Sequence, residues 1–156
     1  MNKITLVLTT LFLLFSSVTF GAEMSCRELD GKVKGLIAAI PLPSTYERKQ
    51  AEIFTQLEML GTRVVPFIIK YLDDRRPLRY RSIALENKAI NRFEGVRFYS
   101  PEKVVDALGA ILNQLTGRSF EDDYNRSTEA ERDKAVGGWR NYLKEELAKG
   151  TFECRP

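Results

Sequence analysis

The sequence predicts an all-α fold of about five helices, broken between the third and fourth by one long irregular insertion. Two observations carry this. Aliphatic residues recur at helical spacing in every long segment but one, and residues that start or stop helices punctuate those segments. The exception, from Asp73 to Tyr99, follows neither a period of two nor the helical period.

The chain opens on a segment to be set aside before the fold is read. Lys3 supplies a positive head, Ile4 to Val18 form an apolar run, and Thr19 to Ala22 offer small residues for a signal peptidase. The run is about 15 residues, short of the ~20 a spanning helix needs. Residues 1–21 therefore read as a secretory signal peptide, cut after Gly21 or after Ala22, with a retained anchor as the competing reading. What remains, 22–156, is about 135 residues, enough for one domain with its own core.

Leu29, Val33, Leu36, Ile37 and Ile40 place a first helix from Cys26 to Ile40, stopped by Pro41-Leu42-Pro43. Ser44 with Glu47 three residues on reads as a capping box for the second, whose apolar face is Ile53, Phe54, Leu57 and Leu60 and whose stop is Gly61. The third runs from Arg63 to Leu72 on Val64, Val65, Ile68, Ile69 and Leu72, with Pro66 near its tolerant first turn. The insertion at about 73–99 reads as a partly extended connection with at most a short strand or helical turn. A helix from Ser82 to Phe93 is the alternative, weakened by Asn87 and Asn91. Ser100 as N-cap and Pro101 as first residue open the fourth helix, buried along Val104, Val105, Leu108, Ile111, Leu112 and Leu115 and ended by Gly117. Thr128 and Glu131 box the start of a fifth, which runs to Lys149 with Val136, Trp139, Tyr142, Leu143 and Leu147 facing inward. Its Gly137-Gly138 pair implies close packing beside Trp139, or a kink.

Export decides how the cysteines are read. An even count at the two extremities predicts one Cys26–Cys154 disulfide. It would close about 129 residues, for which the chain-entropy model gives roughly 4–5 kcal/mol as an upper guide. Cys26 does not suit lipid attachment, because Glu23-Met24-Ser25 lacks the leucine and small residues expected before it. Histidine is absent, which excludes a Ser-His-Asp triad, a Cys-His pair and any histidine-containing zinc site. The net charge of +3 falls by one when Lys3 leaves, so bulk charge argues for neither nucleic acid nor stable membrane association.

Arg63-Val-Val-Pro-Phe-Ile-Ile-Lys-Tyr-Leu-Asp-Asp74 resembles the second helix of a HEAT-like repeat, and Gln56-Leu-Glu-Met-Leu-Gly61 its first. Val105-Asp-Ala-Leu-Gly-Ala-Ile-Leu112 is similar to the first helix of another unit. Leu112 to Phe120 and Ala135 to Leu143 resemble the end of small exported bacterial HEAT-like proteins of unassigned role. The resemblance spans about 45–148, and the insertion departs from a tandem pattern. It implies stacked helical hairpins in a family of scaffolds and binders, and it carries over no catalytic residue.

Arg75, Arg76, Arg79 and Arg81 with Tyr80 form the densest charge cluster. Guanidinium forks match carboxylates and an aromatic ring can stack, which makes these the candidate binding residues for an anionic partner surface. The competing reading is a solvated connection whose arginines pair with Asp73, Asp74 and Glu86. Glu121, Asp122 and Asp123 raise carboxylate catalysis or a cation site, but adjacent acids without calcium-loop spacing read as a solvated loop, so no metal and no cofactor is expected. Asn125-Arg126-Ser127 matches a glycosylation acceptor and reads as chance behind a bacterial-type signal. Phe120, Trp139 and Tyr142 read as core. The expectation is a non-catalytic, periplasmic or secreted protein-binding domain, an envelope scaffold or adaptor acting through the insertion. The alternatives are a periplasmic immunity protein blocking a delivered cell-wall-degrading toxin, and a carboxylate-dependent cell-wall hydrolase. The partner expected is another protein of the cell envelope.

Overall fold

The computed structural model describes residues 23–86, 95–121 and 127–156. The expected signal peptide, the part of the alternative Ser82–Phe93 helix beyond Glu86, Asp122, Asp123, and Asn125 and Arg126 of the acceptor triplet lie outside the described residues.

Helix α1 spans Cys26–Ala39 because Ser25 caps it. The Ser25 hydroxyl accepts from the Glu28 N–H, and the Glu28 carboxylate accepts from the Ser25 N–H at 2.9 Å. Leu29, Val33 and Ile37 are its buried stripe. Helix α2, Glu47–Met59, starts later than the Ser44 box predicts. Tertiary contact outweighs the local signal: the buried Thr45 donates its hydroxyl to the Ala39 carbonyl at 2.7 Å, which holds the connection against the end of α1. Tyr46 is the actual N-cap and makes no side-chain bond.

After α2 the backbone turns through Gly61 at φ +70°, a left-handed conformation that glycine adopts without Cβ strain. The expected third helix is present in two parts, a 3₁₀ turn over Gly61–Val64 and α3 over Val65–Lys70, with Pro66 in the first turn as expected. Helix α4, Val104–Thr116, is buried from its first residue to Leu115 and packs against α2, α3 and α5. Helix α1 lies on α2 and α3. Helix α5, Glu129–Lys149, carries the predicted Thr128–Glu131 capping box. Gly117 and Gly150 end α4 and α5 in the left-handed conformation. In α5, Val136 and Trp139 are buried, while Tyr142, Leu143 and Leu147 are half-buried, so its second half runs along the edge of the core.

The fold is mostly helical, as expected, and the insertion corrects the all-α expectation only in adding a small two-stranded sheet. Strands β1, Ile83–Glu86, and β2, Val96–Tyr99, pair antiparallel with Ile83 opposite Tyr99 and Glu86 opposite Val96. Ile83, Leu85 and Tyr99 point inward, and β1 packs on α2 and α4. The two-residue period is masked in the sequence because β2 inverts the usual polarity. Arg97 is half-buried while Val96 and Phe98 face solvent.

The start of α4 is the other correction: neither Ser100 nor Pro101 opens the helix. The Asp106 carboxylate accepts from the backbone N–H groups of Glu102 and Lys103, each at 2.9 Å. The N–H groups of Val104 and Val105 donate to the carbonyls of Arg76 and Asp74, at 3.0 and 2.9 Å. A helix start leaves such donors unmatched, and here the insertion supplies their acceptors.

The Cys26–Cys154 disulfide is formed, with Cα atoms 5.4 Å apart, and ties the start of α1 to the C-terminal tail.

Candidate functional site

Residues 73–81 form a strap across the helices. Leu78 is buried and its N–H donates to the Glu102 carbonyl at 2.8 Å. The Gln50 amide of α2, itself buried, donates to the Tyr80 carbonyl at 2.7 Å.

The candidate arginines leave this strap for separate anchor points rather than converging on one. Arg75 reaches Asp133 of α5 at 2.8 Å. Arg76 forks onto its neighbour Asp74 through Nε and Nη2, which holds its charge more firmly than usual. Arg81 meets Glu102 at 3.4 Å. Arg79 donates to the Pro43 carbonyl at 3.0 Å and lies 5.7 Å from the centre of the Tyr80 ring. Asp73, an expected partner for these arginines, is instead paired with Arg140 of α5. Pairing is therefore the rule, as the competing reading has it, but with partners mostly on other elements. Arg79 alone among the candidate arginines carries its charge to a neutral acceptor, and it is exposed.

Through Pro43, Arg79 ties the strap to the α1–α2 connection. That connection exposes Leu42 at 45% and Tyr46 at 55%, and the outer face of the ribbon exposes Val96 at 49% and Phe98 at 79%. Apart from Met59, these are the large apolar side chains most open to solvent among the described residues. Exposed rings and aliphatics on a pinned support suit contact with another protein surface. The ribbon is held from beneath: the Tyr99 hydroxyl and Arg97 both donate to Asn113 Oδ1, at 3.0 and 2.9 Å, and Gln114 donates to the Tyr99 hydroxyl.

Beneath the strap lies an ion pair that sequence reasoning missed. Arg132 of α5 forks onto Asp106 of α4 at 2.6 and 2.9 Å, both side chains being buried, and also reaches Glu129 at 2.6 Å. The Asp106 carboxylate, first among these partners, raises the Arg132 guanidinium far above its ordinary value. A signal was present: Asp106 is the lone charge in an otherwise apolar or neutral α4, and Arg132 falls on the stripe of Ala135, Val136 and Trp139.

Trp139 is core as expected, while Phe120 and Tyr142 are half-buried rings packed against it, Phe120 edge-on at 4.9 Å. Glu121 is exposed. Among the described residues, no group of three or more Cys, Asp or Glu is placed to hold a metal ion, and no helix is long and apolar enough to cross a membrane. No protein-family model matches the chain, and neither a curated protein nor a solved structure matches it.

Proposed function

We propose that this chain is an exported, non-catalytic protein-binding domain of the cell envelope, a scaffold or adaptor that engages its partner through the 73–99 insertion. The observation that carries the reading is the apolar exposure of Val96 and Phe98 on the ribbon and of Leu42 and Tyr46 beside Arg79. Loops on a rigid frame commonly carry function, and the 73–81 strap of this one is pinned to α2, α5 and the start of α4. A pinned surface loses little entropy on binding. The uncompensated Arg79 charge asks for a carboxylate on the partner, beside an apolar patch that covers Phe98. The α2 helix meets the 3₁₀ turn that precedes α3, and α4 packs on α5, which suits the HEAT-like reading, whose relatives bind proteins. The disulfide suits the periplasm or the exterior.

The test is quantitative capture from envelope extract by the tagged mature chain. Replacing all the candidate arginines would confuse binding with folding, because Arg75, Arg76 and Arg81 hold the strap in place. Phe98→Ser with Arg79→Ala removes exposed groups and one exposed hydrogen bond, that from Arg79 to the Pro43 carbonyl. One stoichiometric partner is expected, lost on this double substitution and also on Phe98→Ser alone, whose thermal midpoint stays unchanged. Equal capture by all three proteins would move the interface elsewhere. A cell-wall-degrading toxin as the captured protein would turn scaffold into immunity protein.

A further inference from the structure

A hollow of about 330 Å³ lies on another part of the surface, between the residues that follow α4 and the second half of α5. Its walls are the rings of Phe120 and Tyr142, 6.3 Å apart, with Trp139 packed edge-on to both. Gly138 contributes only backbone. A Cβ there would stand 2.6 Å from the Phe120 ring, so the missing side chain is what lets that ring lie on the helix.

The polar lining is unevenly satisfied. Lys149 and Glu146 also border the hollow but pair with each other at 2.7 Å. The side chains of Arg118, Asn141, Tyr142 and Glu145 make no hydrogen bond among the described residues. Burial, and then the Glu146 carboxylate, raise the Tyr142 phenol above its ordinary value, so at neutral pH it remains a protonated donor. A guanidinium, a phenol and an amide, none of them hydrogen-bonded through the side chain among the described residues, thus line a cavity with aromatic walls, and the Glu145 carboxylate completes it. The Arg118 charge is felt by Glu146 without a hydrogen bond between them. Its volume sits at the small end of the roughly 300–1,000 Å³ typical of small-molecule sites, too small for a folded partner.

We propose that this hollow binds a small carboxylate ligand with an apolar side group, namely a free apolar amino acid or the C-terminal residue of a peptide. The Arg118 fork takes the carboxylate two-pronged, which a point-charge ammonium would not do. Phe120 and Tyr142 take the apolar group. Asn141 and Glu145 accept the ligand's N–H donors, an ammonium in the amino acid or an amide in the peptide.

Trp139, the only tryptophan of the chain, touches both wall rings and supplies the readout. The mature protein is titrated with phenylalanine, phenylalaninamide and Gly-Gly-Phe, followed by tryptophan fluorescence and by calorimetry. Saturable binding of phenylalanine or Gly-Gly-Phe is expected, and whichever is tighter identifies the source of the carboxylate. Loss of the charged hydrogen bonds in Arg118→Gln should weaken it about 10- to 100-fold, with Arg118→Lys in between. Arg118 is exposed beyond the end of α4, so both variants keep the fold. Equal affinity for phenylalaninamide, an unchanged Arg118→Gln, or no binding of either carboxylate at millimolar concentration would overturn the proposal. None of these results bears on the insertion.

Discussion

Replacing Asp106 by alanine removes the acceptor at the centre of the fold. Its carboxylate takes hydrogen bonds from the N–H groups of Glu102 and Lys103 and from Nε and Nη2 of Arg132. Hydrogen bonds to a charged group are worth about 1.5–3 kcal/mol each, but four that share one carboxylate do not add. The better guide is the cost of breaking a buried ion pair from one side, about 3–5 kcal/mol, because the other charge is left behind. Arg132 keeps Glu129, half of whose side chain is exposed, so the loss should be about 4 kcal/mol. That is a large part of a net stability of about 5–15 kcal/mol. In a domain of this size it lowers the thermal midpoint by roughly 12 °C. Urea unfolding of Asp106→Ala, Arg132→Met and the double variant measures it. The double variant should be more stable than the sum of the single losses by about 2 kcal/mol, since neither charge is then stranded. Yet it should not regain wild-type stability, because the N–H groups of Glu102 and Lys103 still lack their acceptor. A loss under about 1 kcal/mol in Asp106→Ala, or strict additivity, would refute this account of how α4 is held.

Three further outcomes follow from the geometry. Cys26→Ser with Cys154→Ser should cost up to roughly 4–5 kcal/mol in urea unfolding, as the bond closes nearly the whole described chain. Gly137→Ala should stabilise by up to about 1 kcal/mol, since nothing lies near its added methyl. Gly138→Ala should destabilise by about 1–3 kcal/mol as Phe120 is displaced, so the two adjacent glycines respond with opposite sign in calorimetry. Glu131 and Glu28 are held below the ordinary carboxylate value of 4.5, chiefly by hydrogen bonds from Thr128 and from Ser25. Their contribution is present above that value and lost as pH falls through the lower folded one, so the thermal midpoint should drop with acidification below about pH 4.5, and Glu131→Gln should flatten part of that slope.

Where structure is local, it was legible. Thr128 with Glu131, and the glycines at 61, 117 and 150, mark ends that the backbone obeys because capping involves only a few neighbouring residues. Where acceptors come from far along the chain, the local signal lost. Ser100-Pro101 reads as a start, but the carbonyls of Asp74 and Arg76 satisfy α4 three residues later. The ribbon hid for a related reason: Arg97 turns inward because Asn113 meets it, and Phe98 turns outward. Of the candidate site, the arginine cluster was visible as composition and Asp74 as one of its partners, but not the reach of its other members to Asp133, Pro43 and Glu102. Arg132 and Asp106 were each visible as a charge on an apolar stripe, though their pairing depends on how α4 meets α5.

Whether the exposed apolar groups of the ribbon and of the α1–α2 connection meet a partner protein is decided by site-specific photo-crosslinking in the native envelope, with the reactive side chain placed in turn at Phe98, Tyr46 and Met59. All three are exposed, but Met59 is the last residue of α2 and belongs to neither the ribbon nor the α1–α2 connection. One discrete adduct is expected, the same partner from positions 98 and 46 and none from 59. A partner captured from position 59 alone, or no adduct from 98 and 46, would overturn the proposed interface.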